Sequence, residues 1–264
     1  ITNYGGAIVA IMVPDKDGKV VNVIQGHDNI DDVINSPEAY LSTLIGRFGN
    51  RIANGKFTLN GKEYQLAVNN GPNALHGGPT GLHAQVFEAF QTGDQTLTLN
   101  CTLPYGHEGF TGEVKISVEF TWTDENELVI EYLDSTNKKT IINLTHHAYF
   151  SLQGIANPTP GIEDQIMELN GDFFIPIDDT CIPTGEILKV AGTPFDFRTP
   201  KAVGKDIDAD DEQIKNGNGY DHCFVLNKKE VGELSFAVRL TDPKSGRTLE
   251  TYTTEPGIQV YTDN

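Results

Sequence analysis

The amino-acid sequence predicts an all-β protein with many antiparallel strands, arranged as a large sandwich or barrel. Four long segments alternate apolar and polar residues, and a period of two is typical of half-buried strands. Glycine and proline, 27 and 13 of 264 residues, interrupt these segments at positions suited to turns. Almost no segment has the period of an amphipathic helix. Because sandwiches and barrels of this length are often one domain, we expect residues 1–264 to form a single domain.

The first quarter of the chain contains two hairpin signals and one stretch suited to a short helix. Apolar runs at 7–13 and 20–24 flank Asp17-Gly18, and a second pair of runs flanks Asn60-Gly61. Both dipeptides favour two-residue hairpin turns, because they tolerate positive φ. Between the hairpins, Ser36-Pro37-Glu38 could start a short helix, since proline is favoured in the first helical turn.

Strict alternation predicts the later strands. In chain order, the apolar positions are Leu97, Leu99, Cys101 and Leu103; Val114, Ile116, Val118, Phe120 and Trp122; Leu128, Ile130 and Tyr132; and Leu234, Phe236, Val238 and Leu240. In each segment these residues are expected to face the core, and the residues between them to face solvent.

The segment 142–151 is also apolar and strand-forming, and it carries two adjacent histidines, His146 and His147. Successive side chains of a strand point to opposite faces, so His147 shares a face with Tyr149, and His146 shares the other with Phe150. One histidine can therefore be structural while the other points into a cleft. An imidazole titrates near physiological pH and can give or take a proton there.

The net charge of −18, from 19 basic and 37 acidic residues, argues against nucleic acid or an anionic membrane surface as a partner. No segment approaches the roughly 20 apolar residues that span a bilayer. These features are compatible with a soluble protein that binds a neutral ligand. No signal peptide is visible. The chain opens on Ile1 inside structured sequence, so the removal of a leader stays an open alternative. We expect the protein either in the cytoplasm or in the periplasm.

Three glycine-containing segments carry polar side chains suited to an oxygen-rich ligand. Asn50 and Arg51 lie in a glycine-bounded segment and offer fixed hydrogen-bond donors. His76 precedes two glycines, which let a ligand approach the backbone closely. Asp221 stands at a loop-to-strand junction, where a carboxylate can accept hydrogen bonds from hydroxyl groups. Taken singly, the segments of Asn50 and His76 are better explained as a surface loop and a capped turn, and Asp221 could simply cap a turn.

Several common sites are not supported. The acidic run 206–212 has Asp211 and Gly217 where a calcium loop needs glycine and glutamate. The three distant cysteines, Cys101, Cys181 and Cys223, indicate neither a metal pair nor a disulfide framework. The chain contains no nucleophile elbow, phosphate loop or dinucleotide fingerprint, and the adjacent histidines lack the spacing of a zinc protease. No metal site is therefore predicted.

Eight short motifs resemble, in the same order, those of the aldose 1-epimerases (galactose mutarotases). They are Asn3-Tyr4-Gly5-Gly6, residues 46–57, Leu75-His76-Gly77-Gly78, residues 143–152, residues 182–186, residues 193–197, Tyr220-Asp221-His222 and residues 257–261. Each is weak alone, but eight in order along nearly the whole chain are highly specific. The resemblance implies the family's large antiparallel β-supersandwich. It also implies interconversion of the α and β anomers of hexoses such as galactose and glucose, without a cofactor.

Carried over by motif position, the resemblance implies that His147 is the acid that protonates the sugar ring oxygen. It implies that His76 is the second active-site histidine. The residues matching binders of sugar hydroxyls are Asn50, Arg51, Asp221 and Gln259. The family usually has Asn-His where this chain has His146-His147, so His146 is a departure, and we expect it to pack or to support the site.

The resemblance also implies a glutamate base in a segment shortly after the motif at 257–261. That segment is expected beyond Asn264, and the family's first strand is not matched at the start of the chain. The simplest account is that residues 1–264 belong to a longer protein. Glu255 lies two residues before Gly257, but no motif supports it as the base, so the base is left unassigned.

Three alternatives stay open. An epimerase of a phosphorylated hexose would need clustered arginines, for which Arg47 and Arg51 are candidates, although the negative charge disfavours an anionic substrate. A sugar-binding domain of the same fold would lack the base. A glycoside-hydrolase sandwich domain is less favoured, because that chemistry needs two opposed carboxylates. In each case the partner is a small-molecule sugar, and the protein is expected to be a monomer or homodimer.

Overall fold

The computed structural model describes residues 1–155 and 161–263 and is nearly all β-structure, which confirms the predicted class. The strands are β1 (Met12–Pro14), β2 (Val20–Asn22), β3 (Leu44–Ile45), β4 (Arg51–Ile52), β5 (Lys56–Leu59), β6 (Lys62–Gln65), β7 (Ala74–Leu75), β8 (Glu88–Gln91), β9 (Thr96–Leu103), β10 (Val114–Trp122), β11 (Leu128–Thr136), β12 (Thr145–His146), β13 (Ile166–Leu169), β14 (Phe173–Ile175), β15 (Leu188–Lys189), β16 (Lys201–Ala202), β17 (Asp221–Val225), β18 (Ser235–Thr241), β19 (Thr248–Thr253) and β20 (Gly257–Tyr261). The α-helices are α1 (Ile30–Ile34) and α2 (Glu212–Gly217), and single 3₁₀ turns occur at Ala53–Gly55, Leu82–Ala84, His107–Gly109, Ile162–Asp164 and Val203–Lys205. Within this part of the chain, the helices lack the length and apolar character that a membrane crossing needs.

The chain divides into two compact units, Ile1–Ile11 with Ile24–Phe150, and Met12–Val23 with Ser151–Asn264. The first unit has one four-stranded antiparallel sheet, β11-β10-β9-β8, and three two-stranded ladders, β12-β3, β4-β7 and β5-β6. The second has two four-stranded antiparallel sheets, β16-β13-β18-β19 and β15-β14-β17-β20, and the hairpin β1-β2. These sheets, in the residues described, are open and do not close into a barrel.

The core of the first unit lies on one face of its four-stranded sheet. Val114, Ile116, Val118 and Phe120 alternate along β10 and are each at most 2% exposed, which confirms the predicted period. The sheet packs against Leu44, Leu82 and Phe87 from outside it, among others. Each fully buried side chain of this kind stabilises the fold by about 1.5–3 kcal/mol.

The core of the second unit lies between its two four-stranded sheets, as in a sandwich. Met167 and Leu169 come from one sheet, and Phe174 and Phe224 come from the other. All four side chains are at most 4% exposed. Apolar faces of two antiparallel sheets therefore cover each other, which is the packing expected of a sandwich.

The hairpin predicted at Asn60-Gly61 is confirmed. Strands β5 and β6 pair with Leu59 opposite Lys62, and the two turn residues have φ of 53° and 76°. A hairpin around Asp17-Gly18 is also confirmed, but its turn is longer than the predicted two residues, because Pro14 is opposite Val20. Its strands β1 and β2 have only three residues each, fewer than predicted. In that loop the Asp15 carboxylate accepts hydrogen bonds from the backbone N–H groups of Asp17 and Lys19, so a side chain replaces part of the ladder.

The short helix predicted to start at Ser36-Pro37-Glu38 is wrong in position. The structure places α1 earlier in the same acidic stretch, with Asn29 as its N-cap: the Asn29 side chain accepts a hydrogen bond from the N–H of Asp32. Asparagine is among the best N-cap residues, because its side chain satisfies an N–H that the helix leaves free. The Ser36 hydroxyl instead bonds the backbone of Glu38 within a turn.

Alternation also fails at the start of β18. Leu234 is 68% exposed, and the fully buried residue is Ala237, which lies between the predicted core positions. A bulge between Phe236 and Val238 places an additional residue in this strand. An additional residue exchanges the two faces, so the predicted pattern holds only from Val238 onward.

The acidic run has structural roles in the second unit. Asp206 forms an ion pair with Lys201, and Asp210 forms one with Lys215. The Asp211 side chain caps α2 by accepting a hydrogen bond from the N–H of Gln213 at 2.8 Å. These contacts account for three of its carboxylates without a bound ion.

The single-domain expectation stays a prediction, and denaturant unfolding tests it. Trp122, the only tryptophan, lies in β10 of the first unit and reports the unfolding of that unit by fluorescence. Phe174→Ala removes a ring that is 2% exposed in the second unit and should cost about 3–5 kcal/mol. If the chain is a single domain, Phe174→Ala lowers the denaturant midpoint measured by Trp122 fluorescence by as much as the midpoint measured by circular dichroism. An unchanged Trp122 midpoint would show that the two units unfold independently.

Candidate active site

Two short ladders bring the segments of the first unit's predicted site residues together. Strand β4 pairs with β7, with Arg51 opposite Leu75, so His76 follows directly at the end of that ladder. Strand β3 pairs with β12, with Leu44 opposite His146, so His147 follows at the end of the second. The continuous segment from β3 to β4 therefore joins both ladders, and His76 and His147 emerge beside it.

The rings of His76 and His147 are in edge-to-face contact, with centroids 5.2 Å apart and planes 84° apart. His147 also stacks on Tyr149 at 4.9 Å, as expected for two residues on one face of a strand. The backbone of His147 is held by the backbone of Ser42 and Thr43, because its N–H donates to the Thr43 carbonyl at 2.8 Å. This arrangement confirms that alternation directs His147 away from His146.

The backbone of Asn50 fixes the tautomer of His76. The N–H of Asn50 donates to Nδ1 of His76 at 3.0 Å, so Nδ1 has no hydrogen, and the hydrogen of the neutral ring is on Nε2. In return, the N–H of His76 donates to the Asn50 carbonyl at 3.1 Å. Both residues have positive φ, 63° for Asn50 and 53° for His76. The neutral ring therefore has its Nε2–H available as a donor.

Burial lowers the pKa of His76 well below its ordinary value, and the nearby positive groups His147 and Arg51 lower it further. Desolvation and like charges both disfavour the imidazolium form. At neutral pH, His76 is consequently uncharged, in agreement with the hydrogen bond that its Nδ1 accepts.

Asn50 and Arg51 form a cluster of amide and guanidinium groups beside His76. The side-chain oxygen of Asn50 accepts from the backbone N–H of Arg51 at 2.8 Å and from its Nη1 at 3.4 Å. Nε of Arg51 donates to the side-chain oxygen of Asn70 at 3.0 Å. The guanidinium is therefore held in place by two amide oxygens, and such a fixed donor group suits hydroxyl oxygens.

His146 is partly buried and packs against the core residue Phe120, as its departure from the family pattern led us to expect. Its ring meets Phe120 edge-on at 6.0 Å, and its Nε2 lies 3.3 Å from the Gly6 carbonyl, to which it donates. Burial lowers the pKa of His146 to about 4. The ring is thus neutral at physiological pH and packs on the side of the strand opposite His147.

The loop after His76 is packed against the backbone of Gly46. Gly77 has φ of 88°, and a Cβ there would overlap the Gly46 carbonyl. A Cβ at Gly81 would lie 2.6 Å from the His76 carbonyl oxygen and 2.7 Å from that of Gly46. The Gly46 carbonyl accepts the N–H of Leu82 at 3.0 Å. Only glycine leaves enough space for this approach.

Sequence reasoning missed several side chains of this site. Tyr40 contacts His76 edge-on at 4.7 Å, although no motif of the sequence includes it. His83, which belongs to none of the motifs, is 6% exposed, meets Tyr40 at 4.8 Å, and has a pKa lowered by burial to about 4. Asn69 and Asn70 were not singled out either. The available signal was the tract Asn69-Asn70-Gly71-Pro72-Asn73, which is rich in amides.

The second unit brings Asp221 and Gln259 together. They lie on neighbouring strands, β17 and β20, where Cys223 is opposite Gln259 and Asp221 is two residues away. Nε2 of Gln259 donates to the Asp221 carboxylate at 2.7 Å. The Gln259 side chain is exposed and that of Asp221 is partly exposed, so both are accessible to a ligand. In the described residues, no three His, Cys, Asp or Glu side chains converge closely enough to hold a metal ion.

Comparison with known proteins places this arrangement in context. The family described as aldose 1-epimerase matches residues 1–264. Galactose mutarotase of Bos taurus is 41% identical over 264 residues, covering 100% of this chain and 74% of the relative. Aldose 1-epimerase of Escherichia coli K12 is 31% identical, covering 100% of this chain and 75% of the relative. An aldose epimerase homologue from C. elegans superposes with a TM-score of 0.88 at 32% identity, covering 98% of this chain and 76% of that structure. Galactose 1-epimerase from Lactobacillus acidophilus gives 0.78 at 29% identity, covering 91% and 68%.

Gly77→Ala should destabilise the protein more than Gly61→Ala does. Both glycines have positive φ, but nothing lies within 4 Å of a Cβ at Gly61, whereas a Cβ at Gly77 overlaps Gly46. Gly61→Ala should cost only the backbone strain, about 1–2 kcal/mol. Overpacking at Gly77 should add roughly 1–3 kcal/mol, measured as the free energy of unfolding in urea. Equal costs for the two variants would mean that the loop can move away from Gly46.

The free energy of unfolding should fall as the pH is lowered from about 6.5 towards 4, in part because of His146. Its pKa is about 4 in the folded protein and about 6.5 when unfolded, so the unfolded chain binds more protons in this window. The stabilisation from a neutral His146 is complete above about pH 6.5 and is lost as the pH falls through about 4. His146→Gln should therefore lose less stability between pH 7 and pH 4 than the unsubstituted protein, by on the order of 3 kcal/mol in urea unfolding. The carboxylates are the same in both proteins, so their contributions cancel in the comparison. An equal loss of unfolding free energy in both proteins between pH 7 and pH 4 would therefore contradict the assignment to His146.

Proposed function

The chain belongs to the aldose 1-epimerase family, and on that premise we propose that it interconverts the α and β anomers of a hexose such as D-galactose or D-glucose. The observation that carries the proposal is the contact of His76 and His147 at 5.2 Å, beside the donors of Asn50 and Arg51. Two imidazoles next to fixed donors suit a substrate whose ring oxygen must gain and lose a proton. The proposed isomerisation moves protons and breaks and remakes one C–O bond, so it requires no cofactor.

In the proposed mechanism, His147 is the general acid. A base removes the proton of the C1 hydroxyl, the bond between C1 and the ring oxygen breaks, and the ring oxygen takes a proton from His147. Rotation about the C1–C2 bond presents the other face of the aldehyde. In the reverse steps, the hydroxyl formed from the ring oxygen attacks the aldehyde and returns its proton to His147. The base returns its proton to the C1 oxygen, and the ring closes as the other anomer. Each positioned acid or base typically contributes roughly 10²–10⁴-fold.

His76 supports this role in two ways. Its Nε2–H can donate a hydrogen bond near the ring oxygen, because its Nδ1 accepts the N–H of Asn50. Its pKa is lowered well below the ordinary value, so it stays neutral beside a protonated His147. In a pair of close imidazoles, a proton on one disfavours a proton on the other. A neutral His76 therefore avoids a second positive charge next to the proposed acid.

In the first unit, the proposed contacts to the sugar hydroxyls come from Asn50 and Arg51. For Asp221 and Gln259 of the second unit, the same role stays a prediction from the family motifs. Arg51 and Asn50 supply donors, and the Asp221 carboxylate is an acceptor that Gln259 already contacts at 2.7 Å. The base is not assigned to a residue of this chain. Glu255 lies exposed in the turn between β19 and β20, and the family resemblance leads us to expect a glutamate beyond Asn264 instead.

A phosphorylated hexose is a less suitable substrate. Arg47, one of two arginines considered for a phosphate, is 1% exposed. Its Nη1 and Nη2 donate to the carbonyls of Thr111 and Gly112 at 2.8 and 2.6 Å. Its guanidinium is therefore occupied by the backbone, and Arg51 alone does not make an arginine cluster. A neutral hexose fits this donor set and the net charge of −18.

Other features of the proposal rest on the sequence alone. A monomer or homodimer without nucleic acid or membrane partners stays a prediction, and so does a location in the cytoplasm or periplasm. A sugar-binding domain without catalysis is the main alternative, because it would use the same hydroxyl contacts and would lack only the base.

Polarimetry tests the proposal directly. We expect the natural gene product that contains residues 1–264 to accelerate the relaxation of freshly dissolved α-D-galactose. His147→Asn should lower that rate by at least roughly 10²-fold, because asparagine cannot donate an acidic proton. The matched control is His146→Asn, the same substitution at the adjacent histidine, whose ring packs on Phe120 on the opposite side of the strand. A near-normal rate for folded His147→Asn would contradict the assignment of His147 as the general acid.

The same assay separates the alternatives. A folded gene product that binds galactose without accelerating its relaxation would be a sugar-binding domain. With residues 1–264 alone, we expect no acceleration, because the base is expected beyond Asn264. Acceleration by residues 1–264 would mean that a competent base lies within them, with Glu255 as the first candidate.

A further inference from the structure

Tyr40 lies among three histidines of the first unit. Its ring meets His76 at 4.7 Å and 72°, and meets His83 at 4.8 Å and 71°, both edge-to-face. Its centroid is 6.4 Å from that of His147. Edge-to-face aromatic pairs contribute about 0.5–1.5 kcal/mol each beyond the burial of their surface. The ring of Tyr40 therefore restricts the orientation of His76 in addition to the hydrogen bond from Asn50.

The hydroxyl of Tyr40 is joined to the backbone that precedes His76. Nδ2 of Asn69 donates to the Tyr40 hydroxyl at 3.1 Å and to the Leu75 carbonyl at 3.0 Å. The side-chain oxygen of Asn69 accepts the N–H of Leu75 at 2.7 Å. One amide therefore connects Tyr40 to both backbone groups of the residue before His76.

The backbone of Tyr40 is joined to the segment of His147. The Tyr40 carbonyl accepts hydrogen bonds from the backbone N–H and the hydroxyl of Thr43, both at 3.2 Å. The Thr43 carbonyl in turn accepts the N–H of His147 at 2.8 Å. Tyr40 is thus linked to one histidine through its hydroxyl and to the other through its carbonyl.

From these contacts, and resting on the proposed function, we propose that Tyr40 is a positioning residue that sets the ring of His76 against the ring of His147. In this role the Tyr40 side chain packs as an uncharged ring. Burial raises the pKa of its phenol, with a smaller contribution from the Glu38 carboxylate in the same direction, whereas Asn69 and Arg51 act in the opposite direction. The phenol is therefore protonated throughout the physiological range and does not itself exchange a proton with the sugar.

The test compares Tyr40→Leu, which removes the planar ring, with Tyr40→Phe, which keeps the ring and removes the hydroxyl. Tyr64 is the matched control, because it stacks on Phe57 at 5.1 Å in the hairpin of β5 and β6. In the natural gene product, Tyr40→Leu should lower kcat for galactose relaxation by roughly 10–100-fold, since misplacing a catalytic group by about 1 Å costs on that scale. KM should change less than about threefold, and Tyr40→Phe should restore kcat to within about fivefold. Tyr64→Leu should keep kcat within about twofold.

A second readout does not depend on activity. In NMR spectra of the gene product, Tyr40→Leu should shift the imidazole signals of both His76 and His147, and should move the titration of His76 towards higher pH because its ring becomes more accessible to water. The Tyr64 variant should leave these signals unchanged. If the unsubstituted protein does not accelerate relaxation, the proposed function fails, and the NMR comparison still decides the role of Tyr40.

Two results would overturn the proposal. One is folded Tyr40→Leu with kcat within twofold of the unsubstituted protein, and the other is a loss of kcat without a change in the histidine signals. Where Tyr40→Leu does not fold, proton contacts in the unsubstituted protein decide. Nuclear Overhauser effects from the Tyr40 ring to the His76 ring support the proposal, and their absence overturns it.

Discussion

The candidate site depends on a close approach of two backbone segments, from Gly46 on one side and from Gly77 to Gly81 on the other. No Cβ fits at Gly77 or Gly81, because Gly46 and the His76 carbonyl occupy that space. The approach fixes the path of the chain as it leaves His76. The segment that begins at Gly46 also supplies the backbone N–H that binds the His76 ring. A contact between glycines therefore determines where a titratable side chain can lie.

The electrostatics of the site follow from this enclosure. Two imidazoles with centroids 5.2 Å apart cannot both be protonated without repulsion, and the pKa of His76 is lowered well below its ordinary value. Its Nδ1 is occupied by Asn50, and burial opposes its charge. His147 is left as the member of the pair that can carry the proton in the proposed mechanism. The two histidines have the same chemistry, and their surroundings give them different roles.

Strand alternation makes the same distinction between His146 and His147. The first packs on Phe120 and bonds the Gly6 carbonyl, while the second stacks on Tyr149. A slip of one residue between β3 and β12 would exchange the two faces. The register of a ladder only two residues long is therefore essential to the site, and the backbone hydrogen bonds that continue past the ladder to Thr43 and Ser42 help to hold it.

The all-β class, the hairpin at Asn60-Gly61 and the separation of the adjacent histidines follow from the sequence alone, since each depends on local backbone preferences or on the period of a strand. The family motifs also point to His76 and His147 as candidate site residues. The contacts of Tyr40 and the burial of His83 could not be predicted in this way. The hydrogen bond between Tyr40 and Asn69 joins residues 29 positions apart, and no local preference encodes such a contact. Only the packed chain decides it, because it exists only when distant segments share one interior.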